Sequence, residues 1–103
     1  MTRYKDLDAL LHSQLRLAIM SVLMSTESAE FTYIKDQTGA TAGNLSIQIT
    51  KLREAGYITV NKKFRGNYPQ TLCRITPLGR EKFETYVKNL SDYLGTEGND
   101  SKK

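Results

Sequence analysis

The chain has 103 residues, of which 39% are hydrophobic and 25% are charged, values that are typical of one small globular domain. No apolar run reaches the roughly 18 residues that a membrane-spanning helix needs, and no apolar signal-peptide core follows Met1, so we expect a cytoplasmic protein without membrane contact. The single cysteine, Cys73, excludes an internal disulfide, and the single histidine, His12, leaves little for metal or triad chemistry.

The net charge of +4 is concentrated in the middle of the chain. Residues 42–76 carry six basic residues against one acidic residue, a net +5, whereas residues 1–41 sum to −1 and residues 77–103 to zero. A local basic field of this kind is typical of nucleic-acid binding, although charge alone fits a solvated positive face equally well. The basic residues of this segment, opposed only by Glu54, are Lys51, Arg53, Lys62, Lys63, Arg65 and Arg74.

The first part of the chain has the apolar spacing of helices. Apolar side chains at positions 4, 7, 10 and 11 predict a short first helix that is interrupted near His12. Ser13 is suited to cap a second helix, which has apolar residues on two sides. A helix that is apolar on two sides is expected to lie at the centre of the fold.

Two further helices are predicted on either side of a tight turn. One covers residues 31–38 and ends at Gly39, and the other covers residues 42–55, with Thr41 as its N-cap. Two short helices joined by a glycine-containing turn are typical of a helix-turn-helix.

A β-hairpin and a final helix are predicted in the rest of the chain. Residues 57–63 alternate like a strand, residues 65–67 have turn chemistry, and residues 71–76 form the returning strand. Thr76 and Pro77 are typical of a helix start, and Gly95 follows the last apolar residue of that helix.

The predicted order of elements is therefore α-α-α-α-β-β-α, a mostly α fold with a small β-hairpin. A helix-turn-helix followed directly by a basic hairpin is the layout of a winged helix-turn-helix. We expect one such domain over residues 1–94 and a disordered polar tail over residues 95–103.

Several runs of sequence, taken together, resemble a known family. The most specific are Gly43-Asn44-Leu45-Ser46, Lys51-Leu52-Arg53-Glu54-Ala55-Gly56-Tyr57-Ile58 and Arg74-Ile75-Thr76-Pro77-Leu78-Gly79-Arg80. Over residues 6–94 the sequence is similar to the winged-helix transcriptional regulators of the MarR/ArsR-like superfamily. The resemblance implies a homodimeric regulator, with repression as the expected mode, whose helix 42–55 enters the major groove of duplex DNA.

The exposed face of the helix at 42–55 holds the residues that we expect to contact DNA. When Leu45, Ile49 and Leu52 turn inward, short polar residues occupy the opposite face and its flanks. Asn and Gln can pair with adenine, Ser and Thr with base edges or phosphate, and Lys with phosphate. An exposed Ile47 fits a thymine methyl group or a protein partner. The predicted contacts are Thr41, Gly43, Asn44, Ser46, Ile47, Gln48, Thr50 and Lys51.

The tip of the hairpin, the wing, gives a second set of predicted DNA contacts: Lys62, Lys63, Arg65 and Asn67. We expect Arg65 in the minor groove and the lysines on phosphates, although lysines also keep an exposed strand edge soluble. Apolar positions of the two terminal helices exceed what a small core needs, and relatives dimerise through these helices. The predicted dimer interface is Tyr4, Leu7, Leu11, Phe83, Val87, Leu90 and Leu94.

The sequence does not favour an enzyme. It has no glycine-rich phosphate loop, no metal-ligand spacing and no nucleophile–base pair, so we expect neither a cofactor nor a metal. The main alternative is a winged helix that serves as a protein-interaction or assembly module without sequence-specific DNA binding, with Ile47 and the aromatic wing as its contact surface. A third possibility is an unknown small-molecule effector in a pocket between the terminal helices and the core.

Overall fold

The computed structural model of the chain describes residues 4–95. The elements in chain order are α1 (Gln14–Thr26), β1 (Ser28–Glu30), α2 (Phe31–Thr38), α3 (Ala42–Glu54), β2 (Ile58–Arg65), β3 (Tyr68–Ile75) and α4 (Pro77–Leu94). The strands form one antiparallel sheet in the order β1-β3-β2. A helical core followed by a β-hairpin confirms the predicted fold class, a mostly α winged helix-turn-helix.

The predicted first helix is wrong. Residues 4–8 have no regular secondary structure and residues 9–11 form turns. The Asp8 carboxylate accepts from the backbone N–H groups of Leu10 at 2.8 Å and Leu11 at 3.3 Å. Because an aspartate side chain that binds nearby backbone donors competes with helical hydrogen bonding, the segment turns instead of continuing as a helix.

The strand β1 was not predicted. Glu27, with φ of 68°, ends α1 and redirects the chain, and the next three residues pair with β3 in the register Ala29 to Cys73. Three residues are too few to show an alternating pattern in the sequence. The strand forms by pairing with a partner that lies more than forty positions away along the chain, and local sequence does not reveal that partner. The predicted element order therefore lacks this strand and contains one helix too many.

The predicted helix boundaries are supported by their caps. The side chains of Ser13, Thr41 and Thr76 accept from backbone N–H groups in the first turns of α1, α3 and α4. Caps of this kind each contribute roughly 1 kcal/mol. Gly39 and Gly95 end α2 and α4 in the left-handed conformation that glycine adopts readily. The rest of the tail predicted over 95–103 lies outside the described residues.

The core lies around α1, which contacts every other helix and two strands and so confirms its predicted central position. Each fully buried aliphatic side chain stabilises the fold by roughly 1.5–3 kcal/mol. The buried residues are Leu11, Ile19, Met20, Leu23, Ala29, Ile34, Leu45, Ile49, Leu52, Tyr57, Ile58, Cys73, Ile75 and Tyr86.

The segment between α3 and the wing is fixed by close backbone contact with α4. Thr76 donates its backbone N–H to the Tyr57 carbonyl at 3.0 Å and its hydroxyl to the Gly56 carbonyl at 2.7 Å. Gly79 lies so close that a Cβ atom there would be 2.1 Å from the Tyr57 carbonyl oxygen. The start of α4 therefore holds the wing in position relative to α3.

Candidate nucleic-acid interface

One face of α3 is buried and the opposite face is open to solvent. Leu45, Ile49 and Leu52 lie in the core, as predicted. The predicted DNA contacts are partly or fully accessible: Gln48 and Thr50 are half-buried, and Thr41, Gly43, Asn44, Ser46, Ile47 and Lys51 are exposed. The sequence-derived face and the accessible face of α3 therefore coincide.

Both ends of the exposed face of α3 favour the binding of an anion. Its first turn contains no acidic residue, and Thr41 accepts from the Asn44 N–H at 3.2 Å, which leaves other N-terminal N–H groups directed outward. A helix N-terminus of this kind attracts phosphate. Lys51 and Arg53 add positive charge to the last turn.

Internal hydrogen bonds restrict what two of the polar side chains can offer. The Thr50 hydroxyl donates to the Ser46 carbonyl at 2.9 Å, so its oxygen remains available as an acceptor. Gln48 accepts from Arg16 at 2.5 Å and donates to Asn44 at 3.0 Å. Both ends of the Gln48 amide therefore have protein partners, which leaves one N–H and one oxygen lone pair for any further contact.

A cleft of about 200 Å³ separates α3 from the wing. Arg53 and Lys62 stand on its two sides. The other lining residues are the hydroxyl-bearing Ser46, Thr50 and Thr71 and the apolar Phe31, Ile49 and Val60. Two cations and several hydroxyls in a cleft of this size suit a phosphate group.

Arg53 was not among the predicted contacts. The signal that could have identified it is its spacing: residues 46, 50 and 53 lie at i, i+4 and i+7, which places Arg53 on the same helix face as Ser46 and Thr50.

The basic residues of the wing lie on two faces of the hairpin. Cross-strand partners share a face, so the pairing of Lys62 with Thr71 places Lys62 on the side of the cleft. Lys63 and Arg65 alternate to the opposite side, and Asn67 lies in the turn. All four side chains are exposed.

The apolar terminal surface forms where the N-terminal segment lies along α4. The rings of Tyr4 and Tyr93 are 5.1 Å apart, and the Tyr93 hydroxyl donates to the Lys5 carbonyl at 2.8 Å. Of the predicted dimer residues, Tyr4, Val87 and Leu94 are exposed, and Leu7, Phe83 and Leu90 are half-buried. Leu11 is fully buried in the chain's own core, so its assignment to a dimer surface is wrong.

The side chains of Cys73 and Tyr57 are buried and have raised pKa values. Cys73 is fully buried, and burial raises the pKa of its thiol to about 11, which is the environment of a small core residue rather than of a reactive thiolate. Burial, together with a 2.5 Å hydrogen bond to Asp8 and the charge of that carboxylate, raises the pKa of Tyr57 to about 12.

Neither a metal centre nor a membrane-spanning element occurs among the described residues. Across residues 4–95 no group of three or more His, Cys, Asp or Glu side chains could hold a metal ion. In the same part of the chain, every helix is too short or too polar to cross a bilayer.

Known proteins share both the sequence pattern and the fold. The sequence matches the winged helix DNA-binding domain family over residues 15–94. It is 33% identical over 76 residues to an uncharacterized protein from Methanocaldococcus jannaschii, an alignment that covers 74% of this chain and 83% of that protein.

Solved structures of regulators superpose on most of the chain. A transcriptional regulator homologue from Pyrococcus horikoshii OT3 has a TM-score of 0.79 and 28% identity, and the match covers 84% of this chain and 85% of that one. A MarR-family regulator from Silicibacter pomeroyi shares the fold, with a TM-score of 0.65, 15% identity and coverage of 88% and 62%. The winged-helix part of the resemblance is thus confirmed, and the chain belongs to the winged-helix DNA-binding domain family and shares its fold with solved transcriptional regulators.

Proposed function

We propose that the protein is a homodimeric transcriptional regulator that reads duplex DNA with α3 in the major groove and the wing on the backbone and minor groove. The observation that carries the proposal is the open face of α3, which continues into the Arg53–Lys62 cleft and the basic wing. Along this route Glu54, at the far end of α3, is the one acidic residue in 42–76. A positive surface that follows a protruding helix matches the charge of a DNA groove and its phosphates.

Phosphate contacts set the register of the protein on DNA. In the proposal, the α3 N-terminus and Thr41 hold one phosphate, Lys51 a second, and Arg53 with Lys62 a third within the cleft. Lys63 and Arg65, on the other side of the hairpin, flank the minor groove together with Asn67.

Base contacts come from the N-terminal half of α3. Asn44, Ser46 and Ile47 are exposed there, and Ile47, with 55% of its surface accessible, can pack against a thymine methyl group. Gly43 has no heavy atom within 4 Å of where a Cβ would be, so internal packing does not require a glycine there, and in the proposal its backbone lies close to DNA.

Self-association is proposed through the apolar terminal surface. Its residues are Tyr4, Leu7, Phe83, Val87, Leu90 and Leu94, without Leu11. A two-fold dimer would place two copies of α3 in successive major grooves about 34–36 Å apart, and it would select a pseudo-palindromic site. Repression is the mode proposed, because it requires only occupancy of that site.

The test is selection of bound sequences from a random pool of duplex DNA, followed by binding measurements over a range of salt concentrations. We expect enrichment of a pseudo-palindrome and affinity that falls with salt. Retention of no duplex even at low ionic strength would refute the proposal.

The second candidate is a protein-interaction module. The observations in its favour are the exposed apolar side chains of Ile47, Phe64 and Tyr68, of which the last two are 74% and 77% accessible. Under this alternative, Ile47→Ser and Phe64→Ser would abolish partner binding while the selected DNA pool stays random. A small-molecule effector between the terminal segments and the core stays a prediction.

A further inference from the structure

Three hydrogen-bonded side chains lead from α1 onto the exposed face of α3. Arg16 Nη1 donates to Gln48 Oε1 at 2.5 Å, and Gln48 Nε2 donates to Asn44 Oδ1 at 3.0 Å. Arg16 is itself fixed, since its Nε donates to the Leu10 carbonyl at 2.5 Å. Arg16 and Gln48 are half-buried whereas Asn44 is exposed, so this relay ends at the surface that the proposed function turns toward DNA.

The Arg16 guanidinium determines which end of each side-chain amide, of Gln48 and of Asn44, donates and which accepts in these hydrogen bonds. The Arg16 guanidinium carries only hydrogen-bond donors, so Gln48 must direct its carbonyl oxygen toward Arg16. The Gln48 amide nitrogen then points one helical turn back to Asn44, which must accept through Oδ1. Asn44 keeps both N–H donors of its amide nitrogen and one lone pair of Oδ1, so its donors are free whereas its oxygen is already engaged.

We infer that Arg16 is a specificity-determining residue, because through Gln48 it engages the oxygen of Asn44 and leaves both amide N–H donors of Asn44 free for the base it reads. This inference rests on the proposed function. Guanine offers two adjacent acceptors, N7 and O6, in the major groove, whereas adenine offers one acceptor and one donor. Pairing with adenine needs the Asn44 oxygen to accept a second hydrogen bond beside that from Gln48, whereas pairing with guanine uses only the free donors. The relay therefore favours guanine over adenine at the position that Asn44 reads.

The test compares base preferences selected from a random duplex pool by the unaltered chain and by Arg16→Met. The position read by Asn44 is the one whose preference disappears in Asn44→Ala. In the unaltered chain we expect guanine there, and in Arg16→Met a shift in the guanine-to-adenine ratio of about fivefold or more. A ratio at one position is not changed by a uniform loss of affinity, so it separates orientation of Asn44 from general weakening.

Two further variants control for charge and for folding. Arg80→Met removes the same charge from α4, and it is expected to leave the base ratio unchanged. Gln48→Met removes the middle of the relay and should produce the same shift as Arg16→Met even if the latter folds poorly. In the free protein, the side-chain amide resonances of Gln48 should move in Arg16→Met and not in Arg80→Met.

Each outcome bears on a different claim. The inference would be overturned, with DNA binding left intact, if the unaltered chain selected adenine at the position read by Asn44. It would also be overturned if Arg16→Met and Gln48→Met kept the guanine-to-adenine ratio of the unaltered chain. Failure of the unaltered chain to retain any duplex would overturn the proposed function, and this inference with it.

Discussion

Gly79 is the residue at which α4 touches the backbone that leads into the wing. A Cβ atom there would be 2.1 Å from the carbonyl oxygen and 2.9 Å from the carbonyl carbon of Tyr57, and backbone atoms cannot move aside as a flexible side chain can. Gly79→Ala is expected to lower the free energy of unfolding by about 1–3 kcal/mol, despite the better helix propensity of alanine. Urea unfolding monitored by circular dichroism measures this change.

Gly43 provides a matched substitution with the opposite expected sign. A Cβ atom there meets nothing within 4 Å, so Gly43→Ala should raise the free energy of unfolding by about 0.5–1 kcal/mol through helix propensity alone. If the α3 backbone approaches DNA closely at this residue, the same variant should bind duplex DNA severalfold more weakly. Unchanged affinity in a more stable Gly43→Ala protein would contradict close approach at this point.

In the cleft between α3 and the wing, Arg53 of α3 and Lys62 of β2 are proposed to hold one phosphate together. Lys62→Met should reduce the salt dependence of DNA affinity by about one phosphate contact, because Lys62 lines the cleft together with Arg53. Lys82→Met, which removes an exposed lysine from α4, is the matched control and should leave the slope unchanged. Equal slopes for the two variants would exclude the cleft as a phosphate site.

The elements that could be predicted from sequence are those whose signals are local. Ser13, Thr41 and Thr76 mark helix starts because each cap bonds to a backbone group three residues later along the chain. The false first helix shows the limit of such signals. Its apolar spacing was helical, but Asp8 bonds to the turn and to Tyr57, a partner 49 positions away that spacing does not reveal.

At the scale of the whole molecule, self-association depends on the apolar terminal surface. Val87→Glu and Leu94→Glu place charges on side chains that are 47% and 66% accessible, so the fold should survive while a dimer dissociates. Sedimentation at micromolar concentration should show the change from dimer to monomer. Tyr33→Glu, an exposed aromatic on α2, is the control that should stay dimeric. A monomeric unaltered chain would contradict the proposed interface.

The candidate site was predictable as a surface but not as a set of hydrogen bonds. Helical periodicity placed Asn44, Ser46 and Ile47 on the open face of α3, since that face depends only on which residues are buried. The partner of Gln48, by contrast, is Arg16, 32 positions earlier, and the two meet only when α1 packs against α3. That Lys62 and Lys63 lie on opposite faces follows from strand alternation, but which of them lies on the side of the cleft depends on strand register, which the residue types alone do not specify.

DNA reading by α3 and the wing is tested by fluorescence anisotropy of a labelled duplex chosen from the selected pool, titrated between about 50 and 200 mM salt. We predict that the logarithm of affinity falls linearly with the logarithm of salt concentration. We also predict that Lys51→Ala and Arg65→Ala each weaken binding and reduce the slope by about one. No binding at the lowest salt, or slopes identical to that of the unaltered chain in both variants, would contradict DNA reading by α3 and the wing.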